Sequence, residues 1–334
     1  IYDNNCEKNN QKSFFMKNTL DGKKIVIFGG NGFVGRHLIQ KLCYFSCKIY
    51  VITRNKNEEK NLKILGNLGQ VSVIFMDDYS PYKLEKILIN TDIVINLIGI
   101  LYETKAQSFK FVHEEIPNLI SRIASKVQVK NLIHFSALGV EKIFDSKYAR
   151  SKSNGEKIVT ENFTSAIILK PSVVFGLEDN FVNLFSNISN FSPIMPIFGA
   201  PILKKSRIMS GDFLFKSSVK FQPIYVGDVA EFTVKIINSK KNYFELAGPT
   251  VYSMDELLKL IFSIKNIFRF YVPIPLKFAS LLGYIFEKLP KPLLTRDQVK
   301  LMEFENISTL GLQNLKKIVP NPKSLEIVLP TYLK

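Results

Sequence analysis

Two groups of residues in this 334-residue chain have types and spacing that could do chemistry. The first is Gly29-x-x-Gly32-x-x-Gly35. Glycines so spaced let a chain turn tightly, let its backbone approach a pyrophosphate, and let a helix pack closely on a strand. Phe33, Val34 and Arg36 continue the segment and would open a helix, whose free N–H groups and positive dipole suit phosphate. The second group is Tyr148-Ala-Arg-Ser-Lys152. A four-residue spacing on a helix puts both side chains on one face. An ammonium beside a phenol favours the phenolate and would lower the Tyr148 pKa toward use as an acid or base. The same Lys152 could hold a ribose, and both residues are expected to touch the cofactor. Ser136, at the end of the preceding strand, is the candidate third catalytic group.

Further residues would decide which dinucleotide is held. At the end of the second strand of such a fold, a carboxylate accepts from the ribose 2′-hydroxyl, whereas an arginine accommodates a 2′-phosphate. Here Thr53-Arg54 stands 19 residues after Gly35, and no acid follows until Glu58. Arg36 could add a second positive group. The expected cofactor is therefore NADP(H), with NAD(H) the alternative if Arg54 is only a solvated loop charge. Asp77, after the third strand, is placed either to reach the adenine or to cap a helix. Asn96 and Gly99, at the end of the fourth strand, would line the nicotinamide-ribose side, and Pro171 is a further expected cofactor contact.

The elements that must position these groups can be read from periodicity. Ile25–Phe28 is a short, wholly apolar run that leads directly into the glycines, as a strand buried on both faces would. Val34, Leu38, Ile39 and Leu42 recur at helical spacing. Residues 48–53, 71–76, 93–98, 131–135 and 165–169 read as five more strands, with helical stretches such as 111–127 between them. Strand alternating with helix implies a doubly wound parallel Rossmann sheet of the α/β class. Residues 221–226 then read as a strand, 229–237 as a helix, 243–246 as a strand, and 254–264 as a helix opened by a Ser253/Glu256 capping box. The division expected is a leader or tail over 1–21, a dinucleotide-binding domain over 22–175, and a smaller C-terminal α/β lobe over 176–334. That lobe would be interleaved on the sheet's carboxyl edge.

Composition excludes several classes. Hydrophobic residues make up 46% and charged residues 22%, so wholesale disorder is out. Three cysteines, Cys6, Cys43 and Cys47, cannot build a disulfide framework, and no histidine set accompanies them for a metal. Cys43 and Cys47 are expected to be buried. The histidines His37, His113 and His134 are scattered and read as structural. The net charge of +16 favours anionic partners. The lysines are dispersed, however, so nucleic acid is not expected. No apolar run is long enough to span a bilayer. Phe278, Leu281, Leu282, Ile285 and Leu289 form an apolar stripe, expected to pack against the domain, with a membrane interface as the alternative.

With the glycine loop, a strand ending at Ser136 and Tyr148-x-x-x-Lys152 in place, the chain resembles the extended or atypical short-chain dehydrogenase/reductase superfamily. Ser136 precedes Tyr148 by only 12 residues, closer than that pattern usually has it. A closer resemblance covers residues 22 to about 310. It is carried by GGNGFVGRHL (29–38), NLIGIL (96–101), HFSALG (134–139), YARSKSNGE (148–156), KPSVVFGLEDNFVN (170–183), FQPIYVGDVA (221–230), FELAGP (244–249) and LTRDQVKLM (294–302). These segments are similar to the nucleotide-binding accessory subunit family of respiratory complex I, the alpha-subcomplex subunit nine family. The resemblance implies a peripheral subunit with tightly bound, structural NADPH, partnered by other complex I subunits at the junction of peripheral and membrane arms. It places the protein on the matrix side of the mitochondrial inner membrane, or on the cytoplasmic face of the inner membrane in a bacterium. The basic stretch 203–220 departs from the family as an insertion. Two other functions stay open: an active reductase, epimerase or dehydratase using Tyr148 and Lys152, and a non-catalytic redox-sensing regulator.

Overall fold

The structure, a computed structural model, describes residues 20–199, 202–203 and 215–333. The expected leader apart from Leu20 and Asp21, Cys6, and most of the basic stretch lie outside the described residues.

Seven parallel strands form the central sheet: β1 (Lys24–Phe28), β2 (Lys48–Thr53), β3 (Val71–Phe75), β4 (Ile93–Asn96), β5 (Asn131–Phe135), β6 (Ile167–Pro171) and β7 (Tyr243–Leu246), in the order β7-β6-β5-β4-β1-β2-β3. The strands are mostly apolar, with Val, Ile, Leu and Phe at their centres, because both faces are covered. Along β1, Ile25 and Ile27 enter one core while Val26 and Phe28 enter the other. The first core is closed by α1 (Phe33–Leu42), α6 (Val226–Lys235) and α10 (Thr309–Ile318). The second is closed by α2 (Pro81–Leu88), α3 (Ile116–Lys126) and α4 (Lys147–Asn162). This is the doubly wound arrangement expected. Strand order reverses at β1, between β2 and β4, and ligand clefts of such sheets open at that reversal beyond the strands' carboxyl ends.

The chain after β6 does two things. It returns β7 to the sheet edge, where Tyr243 pairs with Ile168 and Leu246 with Pro171. It also builds a third core from α5 (Val182–Phe191), α7 (Met254–Ile264), α8 (Leu276–Phe286) and α9 (Arg296–Met302), together with the parallel pair Ile194–Phe198 and Phe270–Ile274. At the start of α7, the Glu256 carboxylate accepts from the Ser253 N–H at 2.9 Å, as the sequence pattern implies.

Helix α8 departs from the expectation of core packing. Phe278, Leu281, Ile285 and Leu289 are 64%, 57%, 51% and 48% exposed. The helix buries its small residues instead, Ala279 and Gly283. A Cβ on Gly283 would stand 2.8 Å from the Arg296 backbone nitrogen, so α8 meets α9 backbone to backbone. Phe278, Leu281 and Ile285 face outward, while Leu282 of the same stripe is half-buried and, with Phe286, lines an interior cavity. Among the described residues, no helix is long and apolar enough to cross a membrane.

Candidate dinucleotide site

The glycine loop leaves β1 at the strand reversal. Gly29 has φ +75°, which L side chains rarely adopt, and its carbonyl accepts from the Gly32 N–H at 3.1 Å to close the turn. Gly35 is demanded by packing, since a Cβ there would lie 2.5 Å from the backbone of Gly30. A Cβ at Gly32 would meet only the Gly29 carbonyl, at 3.3 Å, so internal packing does not explain that glycine. Gly32 is the N-cap of α1, where no side chain caps the helix and no acid occupies the first turn. That terminus suits an incoming anion, and a pyrophosphate fits it electrostatically.

The two arginines differ. Arg36 is already held, donating to Glu58 at 2.8 Å and to the Asn31 carbonyl at 3.2 Å. Arg54 makes no ion pair among the described residues. In the amide orientation that satisfies both groups, its Nη1 and Nη2 donate to the Gln107 side-chain oxygen at 2.8 and 2.7 Å. A neutral amide thus occupies the fork that a phosphate would take. Asp77 is surface-exposed and lies 3.5 Å from Lys83, which holds its carboxyl below the ordinary range after the backbone N–H groups beside it.

Tyr148 and Lys152 sit on one face of α4, as their spacing requires, but the chemistry expected from proximity is reversed. Burial pushes the Tyr148 phenol up to about 12. Burial likewise lowers Lys152 to about 8, and its Nζ donates to the Phe135 carbonyl at 3.1 Å. Desolvation of each group outweighs their mutual influence. Ser136 is similarly committed: its hydroxyl donates to Glu156, one turn beyond Lys152. Glu156 also pairs with buried Lys170 at 3.3 Å, and Lys170 bonds Glu141 as well. Burial works to lower Lys170, and these carboxylates overcome it and raise its pKa.

Behind Tyr148 lie two histidines. The His113 ring stacks 5.4 Å from Phe109 and meets Tyr148 edge-on at 5.4 Å. Its Nε2 accepts from the Ile100 N–H at 3.1 Å, so its proton is on Nδ1 and is donated to Ser151 at 2.9 Å. His134 Nδ1 accepts from the Asn96 amide at 3.1 Å, while the Asn96 oxygen accepts from the Ile98 N–H. The His134 proton therefore sits on Nε2, which is buried with no partner. Burial, with the Lys152 charge second, depresses His113 to about 2 and His134 to about 3. Both rings are neutral supports for the end of β4, and Asn96 is spent on that role.

Gly29, Gly32, Phe33, Val34, Gly35, Gly99, Ser136, Tyr148, Lys152 and Pro171 line one cavity of about 1380 Å³. Arg36, Arg54, Asp77 and Asn96 do not line it. Sequence reasoning passed over Glu156, although its spacing from Lys152 equals that of Lys152 from Tyr148. It passed over Asp297 and Gln107 too, whose partners are distant in the chain. Cys47 is buried and Cys43 half-buried; burial raises the thiols to about 12 and about 11. Among the described residues, no cluster could hold a metal.

The fold and its glycine loop define a Rossmann protein of the NmrA-like family, whose family model matches residues 21–277. Over 319 residues the chain is 30% identical to the mitochondrial NADH dehydrogenase [ubiquinone] 1 alpha subcomplex subunit 9 of Mus musculus, covering 93% of this chain and 80% of that one. At that identity and coverage the chain belongs to the family of that complex I subunit. Among solved structures, triphenylmethane reductase from Citrobacter sp., complexed with NADP(H), superposes with a TM-score of 0.70 at 16% identity, covering 92% of this chain and 100% of that one. The UDP-glucuronic acid 4-epimerase of Bacillus cereus, in complex with UDP-glucuronic acid and NAD, superposes at 0.66 and 17% identity, covering 93% and 98%. These two likenesses concern the fold.

Proposed function

We propose that the protein is an accessory subunit of respiratory complex I that stabilises the assembly and carries NADP(H) as a structural group. The observation that carries this reading is the 30% identity to a complex I subunit over 93% of the chain. The glycine loop and uncapped α1 terminus would hold the pyrophosphate, Arg54 the 2′-phosphate, and Lys152 the nicotinamide ribose. Bound there, the cofactor offers a hydride donor or acceptor. Support for a structural role comes from the residues around it. The Tyr148 phenol is pushed up to about 12, and the Ser136 hydroxyl is committed to Glu156. Neither is poised near the operating pH for proton transfer. Its partners would be other complex I subunits at the arm junction, on the matrix side of the mitochondrial inner membrane. The exposed apolar face of α8, with Lys277 and Lys288 beside it, suits peripheral membrane contact.

The test is to tag the protein in its native host, purify it from membranes, and assay complex I subunits and acid-released NADPH. Co-purification with stoichiometric NADPH is expected. Tyr148→Phe should leave complex I content and activity nearly intact, since it removes one hydroxyl worth about 1 kcal/mol at most. An enzyme would instead lose about 10²–10⁴-fold in turnover. A free protein that oxidises NADPH and fails as Tyr148→Phe would overturn the proposal.

A further inference from the structure

The cavity that contains the dinucleotide groups is larger than they need. At about 1380 Å³ it exceeds the roughly 300–1,000 Å³ of an ordinary ligand pocket. It continues past Tyr148 and Lys152 into the third core, between α5, α8 and α9. We infer that this inner half is a binding site for an amphiphile with one long hydrocarbon chain and a small polar head. The head would sit by Tyr148 and Lys152, with the chain running along Ile188, Phe198, Leu282, Phe286 and Met302.

Three observations carry this. First, the inner lining is mostly hydrocarbon. Several of its polar atoms are already engaged: Gln298 accepts from the Thr295 N–H at 2.9 Å, Asn306 accepts from the Val173 N–H at 3.0 Å, and the Ser308 hydroxyl bonds both the Gly311 N–H and Glu245. Second, the charge is wrong for a nucleotide-linked substrate. Among the described residues the lining has no arginine or histidine, and its cations are Lys142 and Lys152. Against these stand Glu141, Glu245, Glu303 and Glu305. A diphosphate beyond the cofactor would meet carboxylates without a guanidinium to hold it. Third, apolar side chains that line the cavity are also exposed at the surface, Ile194, Leu293, Phe304 and Leu310 among them. The outward apolar face of α8 belongs to the same lobe. An apolar opening is what a hydrocarbon chain needs to enter without crossing a polar rim.

The site does not depend on complex I membership, and its occupancy is read separately from that of the dinucleotide. The probe is 11-(dansylamino)undecanoic acid, titrated by fluorescence against the full chain, with bound NADPH assayed in parallel. Saturable binding is expected, competed by dodecanol or by farnesol. The stronger competitor tells a linear chain from a branched one. Leu282→Asp puts a charge in the lining, and Ile188→Trp fills it without one. Each should weaken the probe roughly tenfold or more while NADPH stays bound. Leu281→Asp lies on the outer face of the same helix and should leave the probe bound. Absence of saturable binding by the native chain would overturn the inference. So would equal loss in Leu281→Asp, which would mark adsorption to the outer surface. Should Leu282→Asp lose its NADPH, Ile188→Trp decides.

Discussion

Asp297 caps the helix that carries Tyr148. Its Oδ2 accepts from the Ser146 hydroxyl at 2.8 Å and from the Tyr148 N–H at 3.0 Å, and its Oδ1 accepts from the Lys147 N–H at 2.8 Å. A carboxylate on the first turn of α9 thereby satisfies the first donors of α4 and complements its dipole. Asp297→Ala leaves those donors without their acceptor. It should cost about 1–3 kcal/mol of stability. Thermal unfolding would measure the loss, and amide exchange should speed up at residues 147–148 before it does elsewhere in α4.

The Arg54 fork donates to a neutral amide, which a 2′-phosphate can displace. Native protein should bind NADPH more tightly than NADH by about 1.5–3 kcal/mol, the worth of charge-assisted phosphate contacts. Arg54→Asp should abolish or invert the preference. Gln107→Glu should reduce it too, by giving the fork a permanent carboxylate. Calorimetric titration of both cofactors checks this, and equal affinities in the native chain would count against Arg54 as the selector.

Gly32 and Gly35 should fail in different ways. Gly32→Val meets no backbone closer than the Gly29 carbonyl, so the fold should hold to within about 1 kcal/mol while dinucleotide binding is lost. Gly35→Ala forces its methyl into Gly30 and should cost more than about 2 kcal/mol of stability. Denaturant melts paired with a cofactor-retention assay separate the two outcomes.

His113 and His134 make stability fall in mild acid. Both have native pKa values far below the ordinary 6.5, at about 2 and about 3. The unfolded chain therefore binds protons that the folded chain refuses. Their contribution is complete above about pH 6.5 and is lost as pH falls from there toward about 3, at up to about 1.4 kcal/mol per pH unit for each ring. Buried Asp228, raised to about 6 mainly by burial, works in the opposite direction over part of that range. His134→Gln removes one titrating ring, so its stability should depend less steeply on pH between about 6.5 and 5, by roughly 2 kcal/mol in all. Denaturant midpoints at a series of pH values give that slope whatever the variant's absolute stability.

What could be read from the residues was local. The run Ile25–Phe28 into the glycines fixes a strand, a turn and a helix by short-range sterics, and all three are in place. Spacing also puts Tyr148 and Lys152 on one face. Their ionisation was misread because it depends on what covers them, and Phe109 and His113 arrive from another part of the chain. The Asp297 cap, the Gln107 contact and the Glu156–Lys170 pair have the same character. Each partner is an ordinary surface-type residue until the fold delivers it. Helix α8 was misread for a different reason. An apolar stripe says which residues share a face, and here the small residues Ala279 and Gly283 won the buried side by allowing closer backbone approach.

The position of β7 at the sheet edge has a consequence for the protein's synthesis. As the chain emerges from the ribosome, β1 to β6 can pair in turn, but β6 then waits with an open row of backbone donors and acceptors until Tyr243–Leu246 is made. An apolar strand with an unpaired edge is a template for joining another chain. Nascent or truncated products that stop between Pro171 and Tyr243 are therefore the forms most exposed to aggregation, and the ones that most need a chaperone's cover.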